Sequence, residues 1–481
     1  MFSKAKNIDR SKLLAINFRK LLIYIVLFIY GCIVSYVIVK RSTLAYRWMP
    51  LDQFYMSLRV EWLDMFINEV KSTGVYSGLH RLYDHNATVY LYLSHLGAIL
   101  GFDALHTFFY TQLVAVFACV AFYPVIFYRL SNNIYISLLS VVFFEIYKPY
   151  TMFLQNDSYW ICGWITFISM PILYFLIKGR WNTFNWLWVV FLGAIASMSN
   201  VFRSSSGLAV IVSLILIILL KLIIPAIKTG EKDVLVSGII GVVTVLLLQN
   251  LFTGFVPSIY QEITEQPESL PIKGPWHTLY IGLGWEENPL GIKYQDRYGY
   301  ANREHLLYDV SEGYFVGIES PEYINEMKNV YMDTIFSDFK FFVGSYIRKV
   351  LKSLETIFEF SLINYEMWKS TMMYPLKYTY YFSFILPIAM IYFIRNKLRE
   401  NKHQFILSLF TLAGLFIINF GFGMLPGIIA YPIVREYLYG AIAACDMIIL
   451  TEYIVFLNII VQLIENVFKK KNTVVYETVK N

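Results

Sequence analysis

Apolar residues in this chain occur in long runs that are separated by short polar connections. A helix that crosses a bilayer needs about 20 mostly apolar residues, and the runs are close to that length. The pattern therefore predicts about ten transmembrane helices. The predicted spans are approximately Leu21–Val39, His106–Tyr128, Ile134–Phe153, Tyr159–Ile177, Phe184–Asn200, Gly207–Ile227, Val234–Val256, Tyr378–Ile394, Phe405–Phe422 and Leu438–Val461.

Lysine and arginine are concentrated near the two ends and in alternate short connections. Basic residues cluster within residues 1–20, before the first run, and three consecutive lysines at 469–471 follow the last run. Basic residues in short loops stay on the cytoplasmic side of a membrane, so we expect both termini in the cytoplasm. The connections that then fall on the same side carry Arg129, Lys178, Arg180, Lys228, Lys232, Arg395, Lys397, Arg399 and Lys402.

Three further segments are apolar or amphipathic but are not counted as spans. The stretch Thr88–Phe102 is apolar, and counting it would place Arg129 outside, so we expect an outer-surface or re-entrant helix there. Apolar residues between Leu51 and Phe66 recur at helical spacing, which predicts an amphipathic helix on the membrane surface. A second amphipathic helix is predicted over Tyr331–Phe358.

The expected organisation has three parts. Residues 1–256 form an N-terminal module of seven spans with an outer loop at 40–105. Residues 257–377 form an extracytoplasmic loop region of small, mixed structure. Residues 378–481 form a C-terminal module of three spans with a basic cytoplasmic tail. The predicted fold class is thus an all-α integral membrane protein with amphipathic outer-surface helices.

Composition narrows the classes of protein that fit this pattern. Hydrophobic residues make up 57% of the chain and charged residues 15%, against about 45–50% and about 25% in soluble domains. The net charge of +6 is confined to ends and connections, so nucleic acid is not an expected partner. All four cysteines fall inside predicted spans, and no phosphate-binding, dinucleotide-binding or zinc-hydrolase motif occurs.

Several local segments occur in an order that resembles the GT-C superfamily of membrane glycosyltransferases, which includes protein mannosyltransferases and bacterial aminoarabinose transferases. Asp52 lies early in the first outer loop, as an acidic residue does in that family. His85 lies in a turn before a short apolar helix, Asp157 follows the third span, and Arg203 follows the fifth. The stretch Trp276–Gly291 is similar to loops of uncharacterised bacterial members.

The resemblance implies a GT-C-like fold and transfer of a sugar from a polyprenyl-phosphate donor to a glycan, lipid or protein acceptor. The reaction would take place at the extracytoplasmic face of a bacterial plasma membrane. Asp52 would be the general base or orient the acceptor, with Asp157 assisting. Arg203, and next Arg435, would hold the phosphate, because a guanidinium pairs with two phosphate oxygens.

The resemblance also implies contacts with the sugar or phosphate from His85, Trp276 and His277. No cofactor or metal site is implied for certain, because the two acids could bind a divalent cation or act without one.

Each of these residues also has a purely structural interpretation. Asp52 could cap the helix that follows it, and Asp157 could form an ordinary turn. Arg203 could extend from an apolar run to the membrane interface. A single loop histidine such as His277 commonly has a structural role.

Two other functions fit a chain with many spans. One is a transporter or a flippase for lipid-linked glycans, and the other is a polysaccharide polymerase. Transporters often have repeated halves and broken helices, whereas here the polar residues collect in two outer loops and no halves are evident. Polymerases typically depend on arginines in outer loops, so the acid in the first loop favours a glycosyltransferase.

Overall fold

The computed structural model describes residues 21–37, 60–81, 87–141, 160–178, 181–203, 206–266, 275–301, 303, 306, 308–309, 314–315, 321–361, 380–433 and 435–480. Helices dominate these residues, which confirms the all-α class. The helices are α1 (Leu21–Val37), α2 (Val60–Thr73), α3 (Gly78–Arg81), α4 (Ala87–Leu100), α5 (Ala104–Ser131), α6 (Ile134–Ser140), α7 (Trp160–Lys178), α8 (Thr183–Phe202), α9 (Leu208–Thr229), α10 (Lys232–Ile263), α11 (Trp276–Gly282), α12 (Asp296–Tyr300), α13 (Pro321–Ser337), α14 (Phe339–Phe360), α15 (Tyr380–Ile429) and α16 (Tyr439–Lys480).

Short elements complete this set. Two residues of β1 (Tyr308–Asp309) pair antiparallel with two of β2 (Tyr314–Phe315), within the region for which mixed structure was predicted. Single turns of 3₁₀-helix cover Leu283–Trp285 and Arg435–Leu438.

Six helices in the described part of the chain are long and apolar enough to cross a membrane. Five coincide with predicted spans of the N-terminal module, and the sixth coincides with a predicted C-terminal span. The total of ten stays a prediction, because α1 and the start of α16 are apolar but shorter, and residues 142–159 lie outside the described ranges. The six segments are Ala104–Arg129, Ile161–Lys178, Asn185–Phe202, Leu208–Thr229, Lys232–Ile263 and Leu409–Ile429.

Two of these helices contain a π-helical turn just before a proline. In α9 the turn covers Leu219–Ile223 and precedes Pro225, and in α10 it covers Leu251–Phe255 and precedes Pro257. A proline lacks the N–H for a helical bond, and its ring clashes with the carbonyl four residues earlier, so a wider turn relieves both problems. Helix α10 therefore continues beyond residue 257, where the outer loop region was predicted to begin.

Three predictions about individual helices need correction. The helix predicted over Tyr331–Phe358 is two helices, because the Asp338 carboxylate accepts a hydrogen bond from Phe341 N at 2.9 Å and caps a new helix, α14. The basic connection predicted around Arg395 is helical, since α15 runs without interruption for 50 residues.

The third correction concerns the first amphipathic helix, of which residues 51–59 lie outside the described ranges. Helix α2 buries Leu63, Phe66 and Ile67 in the protein core, where it packs against α4, whereas Met65, predicted on the apolar face, is exposed. The apolar stripe of α2 thus serves internal packing, since α4 offers it an apolar surface.

Helix α5 begins at two carboxylates that accept its first backbone N–H groups. Asp103 caps the helix and accepts from His106 N at 2.8 Å. Asp64, on α2, accepts from Ala104 N at 2.7 Å. The first N–H groups of a helix have no partner within the helix, so these two bonds fix where α5 starts and how α2 lies across it.

Polar contacts tie the ends of several helices together at one end of the bundle, here called the Arg203 end. The Asn200 side chain in the last turn of α8 donates to Gln249 Oε1 in α10 at 2.9 Å. Further along α10, the Tyr260 hydroxyl accepts from Tyr76 N at 2.7 Å. Arg129 lies at the other end, where its guanidinium is 5.0 Å from the centre of the Phe175 ring.

Both predicted outer regions attach at the Arg203 end. Gln266 donates from its side chain to Tyr76 O at 2.6 Å, which joins the end of α10 to the segment after α2. Lys349 on α14 donates to Ile429 O at 3.1 Å, at the end of α15. The long polar segments of the chain therefore lie together, away from Arg129 and Phe175.

Helices α15 and α16 cross where two glycines face each other. A Cβ on Gly440 would be 3.0 Å from Gly423 Cα, and a Cβ on Gly423 would collide with Ala441 N. Small residues at a crossing allow two backbones to approach closely and are enriched between membrane helices. Gly421, two residues earlier in α15, has open space where its Cβ would be.

We expect Gly423→Ala to destabilise the protein by about 1–3 kcal/mol, because the methyl group would force α15 and α16 apart. The matched variant Gly421→Ala is expected to be neutral or to stabilise by up to about 1 kcal/mol, since alanine favours the helix. Thermal unfolding of the purified protein in detergent measures both. Equal midpoints for the two variants would contradict this account of the crossing.

Candidate functional site

A cavity at the Arg203 end lies between α7, α9, α15 and α16. The empty space between these helices amounts to about 280 Å³, which includes space open to solvent. Four of the lining residues come from the end of α15, and the others come from the first turns of α7 and α16 and from the start of α9. The lining residues are Cys162, Thr166, Ser206, Ala209, Asn419, Phe422, Gly423, Pro426 and Gly440.

The wall of this cavity is mostly apolar with a few polar atoms. Asn419 is 2% exposed, and its amide nitrogen donates to Leu415 O at 2.9 Å. Among the residues that the structure describes, Asn419 Oδ1 and Ser206 Oγ have no hydrogen-bond partner. Buried polar atoms are normally hydrogen-bonded, so this pair is suited to contact a polar ligand.

The turn that carries Arg203 is held in place by backbone and side-chain hydrogen bonds. Arg203 ends α8 in an extended conformation, with its N–H bonded to Ser199 O at 2.9 Å. Its carbonyl accepts from Ser206 N at 2.9 Å. Asn200 Oδ1 accepts from Gly207 N at 2.7 Å, so the α8–α9 turn closes on itself. Arg203 is half-buried, three residues from a residue that lines the cavity.

Three of the residues predicted for a catalytic site, Asp52, His85 and Asp157, lie outside the described residues. The backbone of Arg435 begins the 3₁₀ turn before α16, but its side chain lies outside the described part. In sequence, Asp157 precedes Cys162 by five residues, and Arg435 precedes Gly440 by five. Arg203, Asp157 and Arg435 are therefore all close in sequence to residues that line the cavity.

Trp276 and His277 belong to a different cluster, which is built by α11, α12 and α13. His277 is 3% exposed; its Nδ1 is 2.6 Å from the Tyr323 hydroxyl and its Nε2 is 3.1 Å from Asp296 Oδ1. Tyr300 stacks on the imidazole with the ring centres 5.4 Å apart. Both ring nitrogens thus have partners, and the histidine holds three segments of the outer region together.

Trp276 packs at the edge of the same outer region. Its ring centre is 6.0 Å from that of Tyr331, and the ammonium of Lys328 lies 5.9 Å from the indole. The structure therefore does not bring Trp276 and His277 to the cavity beside Arg203.

No protein-family model, curated protein or solved structure matches this chain. The resemblance to GT-C enzymes accordingly rests on the segments quoted from the sequence. The geometry of the cavity at the Arg203 end is independent of that resemblance, and a function can be inferred from it.

Lys349 is a buried charged residue that the sequence analysis did not single out. It is 0% exposed, and its ammonium donates to Ile429 O at 3.1 Å and Ala430 O at 3.4 Å. These carbonyls belong to the C-terminal end of α15, where a helix carries partial negative charge and unpaired carbonyls. Burial lowers the pKa of Lys349 to about 7.

The position of Lys349 explains why the sequence did not reveal it. Ser345, Lys349 and Ser353 recur every four residues on α14, which is the pattern of a solvated polar face. Here that face is the buried one. Only the location of the α15 carbonyls shows why a lysine is needed there.

Lys349 also predicts a pH dependence. Its pKa is about 7 in the folded chain against an ordinary value of 10.5, so between these values the unfolded chain binds more protons and folding stability rises with pH. We expect the stability of the wild type relative to Lys349→Met to increase by about 2 kcal/mol from pH 7 to pH 9.

Thermal unfolding of both proteins across this pH range provides the measurement. Lys340→Met, which changes an exposed lysine on the same helix, serves as the control and should show no such change relative to the wild type. A constant difference between wild type and Lys349→Met at every pH would refute the assignment.

Proposed function

We propose that this chain is a membrane glycosyltransferase that transfers a sugar from a polyprenyl-phosphate donor to an acceptor at the extracytoplasmic face of the plasma membrane. The proposal includes a GT-C-like arrangement of membrane-spanning helices, in which α15 is one continuous helix where Tyr378–Ile394 and Phe405–Phe422 were predicted as two spans. The observation that carries it is the cavity at the Arg203 end. Three of its lining residues, Cys162, Ser206 and Gly440, lie within five positions of Asp157, Arg203 and Arg435 in the sequence.

The location of the cavity supports the proposal. It lies between the ends of apolar helices, at the same end of the bundle as both long polar regions. A substrate with a lipid tail and a polar head needs a site at such a boundary, where the tail stays in the bilayer.

The chemistry of the residues assigned to the reaction suits glycosyl transfer. In the proposed reaction Asp52 takes the proton of the acceptor as the acceptor oxygen bonds to the sugar carbon. The bond from that carbon to the phosphate oxygen breaks, and the polyprenyl phosphate leaves. Arg203, and after it Arg435, stabilises the departing phosphate by paired hydrogen bonds, and Asp157 assists from the segment before α7.

We expect Asp52→Asn to reduce the turnover number by about 10²–10⁴-fold, since an amide cannot accept the proton. Arg203→Gln should reduce kcat/KM by about 10–100-fold through the loss of charge-assisted hydrogen bonds. The assay uses the full chain in proteoliposomes with a labelled short-chain polyprenyl-phosphate hexose and a membrane extract as acceptor. It measures both labelled product and released polyprenyl phosphate.

Arg297→Gln, which changes an exposed arginine of the outer region, is the matched control and should retain full activity. Full activity of Asp52→Asn would remove that residue from the reaction. Movement of the labelled donor across the vesicle membrane without release of polyprenyl phosphate would identify a flippase and overturn the proposal.

A further inference from the structure

Helix α14 has its polar and apolar residues on the opposite sides from those expected for a helix packed on a soluble core. The residues that it buries include Ser345, Lys349, Ser353 and Thr356. Five of its large apolar side chains are exposed, among them Phe339 at 64%, Ile347 at 56% and Leu351 at 60%, whereas Phe341 and Ile357 are buried. The exposed large apolar residues on α14 are Phe339, Val343, Ile347, Leu351 and Phe358.

These exposed residues form one continuous stripe. Phe339, Val343, Ile347 and Leu351 follow one another every four residues, and an α-helix places such residues on one face. Phe336, at the end of α13, is 77% exposed and extends the apolar surface beyond the start of α14. A stripe of this length on a soluble surface would be a site of association.

The position of α14 indicates what covers the stripe. Its buried face contacts the last turn of α15: Lys349 bonds to the Ile429 and Ala430 carbonyls, and a Cβ on Gly427 would be 3.4 Å from Ser353 Oγ. This turn ends Leu409–Ile429, which is apolar and long enough to cross a membrane. The middle of helix α14 therefore lies at the end of that helix, which is where acyl chains meet headgroups when such a helix spans a bilayer.

Charged residues occupy a third face of α14, between the apolar stripe and the buried face. Arg348 pairs with Glu286, with Nε 2.6 Å from the carboxylate oxygen, and Lys352 pairs with Glu355 at 2.8 Å. A helix in the membrane interface has this combination of an apolar face toward acyl chains and a charged face toward headgroups and water.

We propose that the apolar stripe of α14 is a lipid-binding surface that lies in the boundary between acyl chains and headgroups. The helix then anchors the outer region at a fixed depth, while Lys349 fixes it to α15. This inference depends on insertion of the apolar helices in a membrane and not on glycosyl transfer. Lipid is favoured over a second copy of the chain because the stripe is level with the end of an apolar helix and adjoins a charged face.

The test places a fluorescent label at single sites on α14 in the full chain. Ile347→Cys and Leu351→Cys lie on the stripe, and Glu355→Cys, with a side chain 65% exposed on the charged face, is the matched control. Each variant is reconstituted in vesicles of phosphatidylcholine and phosphatidylglycerol, with and without bromine in the upper acyl chain. The wild type, labelled in parallel, gives the background from native cysteines.

Brominated lipid should remove most of the fluorescence of labels at Ile347 and Leu351 and little of that at Glu355. Equal quenching at all three positions, or none at Ile347 and Leu351, would overturn the proposal. Protection of the Ile347 label together with disulfide cross-linking between chains would show that a second copy covers the stripe, and this would also overturn it.

Discussion

The close crossing of α15 and α16 at Gly423 and Gly440 is the contact on which the Arg203 end depends. It brings the last turns of α15 beside the first turn of α16, and the cavity forms where α7 and α9 meet this pair. The crossing lies close to the end of α15, whose last carbonyls accept hydrogen bonds from Lys349. A side chain in place of either glycine would change the cavity and the attachment of α14 together.

Hydrogen bonds to backbone groups explain how polar regions attach to an apolar bundle. Asp64 accepts from the first N–H of α5, Lys349 donates to the last carbonyls of α15, and Tyr260 accepts from Tyr76 N. Each bond satisfies a backbone group that has no partner within its own helix or strand, and such groups are costly to bury unpaired. The outer regions are thus joined to the bundle at helix ends, where these groups occur.

The sequence predicted those parts of the fold that hydropathy and length determine. The predicted span Gly207–Ile227 agrees with Leu208–Thr229 of α9 to within two residues at each end. The agreement is close because a helix that crosses a bilayer requires an uninterrupted apolar run. Asp338 lies directly before an apolar run, which is a typical position for an N-cap residue. The helical spacing of apolar residues over Tyr331–Phe358 nevertheless predicted a single helix across it. The unbroken α15 could not be predicted from its basic centre, since lysine and arginine are good helix formers and mark a cytoplasmic connection equally well.

The candidate site was less accessible to prediction, because a cavity depends on which helix ends meet. Asn419 is one of three polar residues in the apolar run 405–422, and its unpaired oxygen gains significance only through Ser206, more than 200 positions away. Under the proposed function, the polar atoms of the cavity wall contact the sugar and its phosphate, whereas the apolar isoprenoid part of the donor is more stable in the bilayer. The isoprenoid chain of the donor must then remain in lipid, so the cavity has to open toward the bilayer near the ends of the helices. The middle of α14 lies at the same place, beside the end of α15.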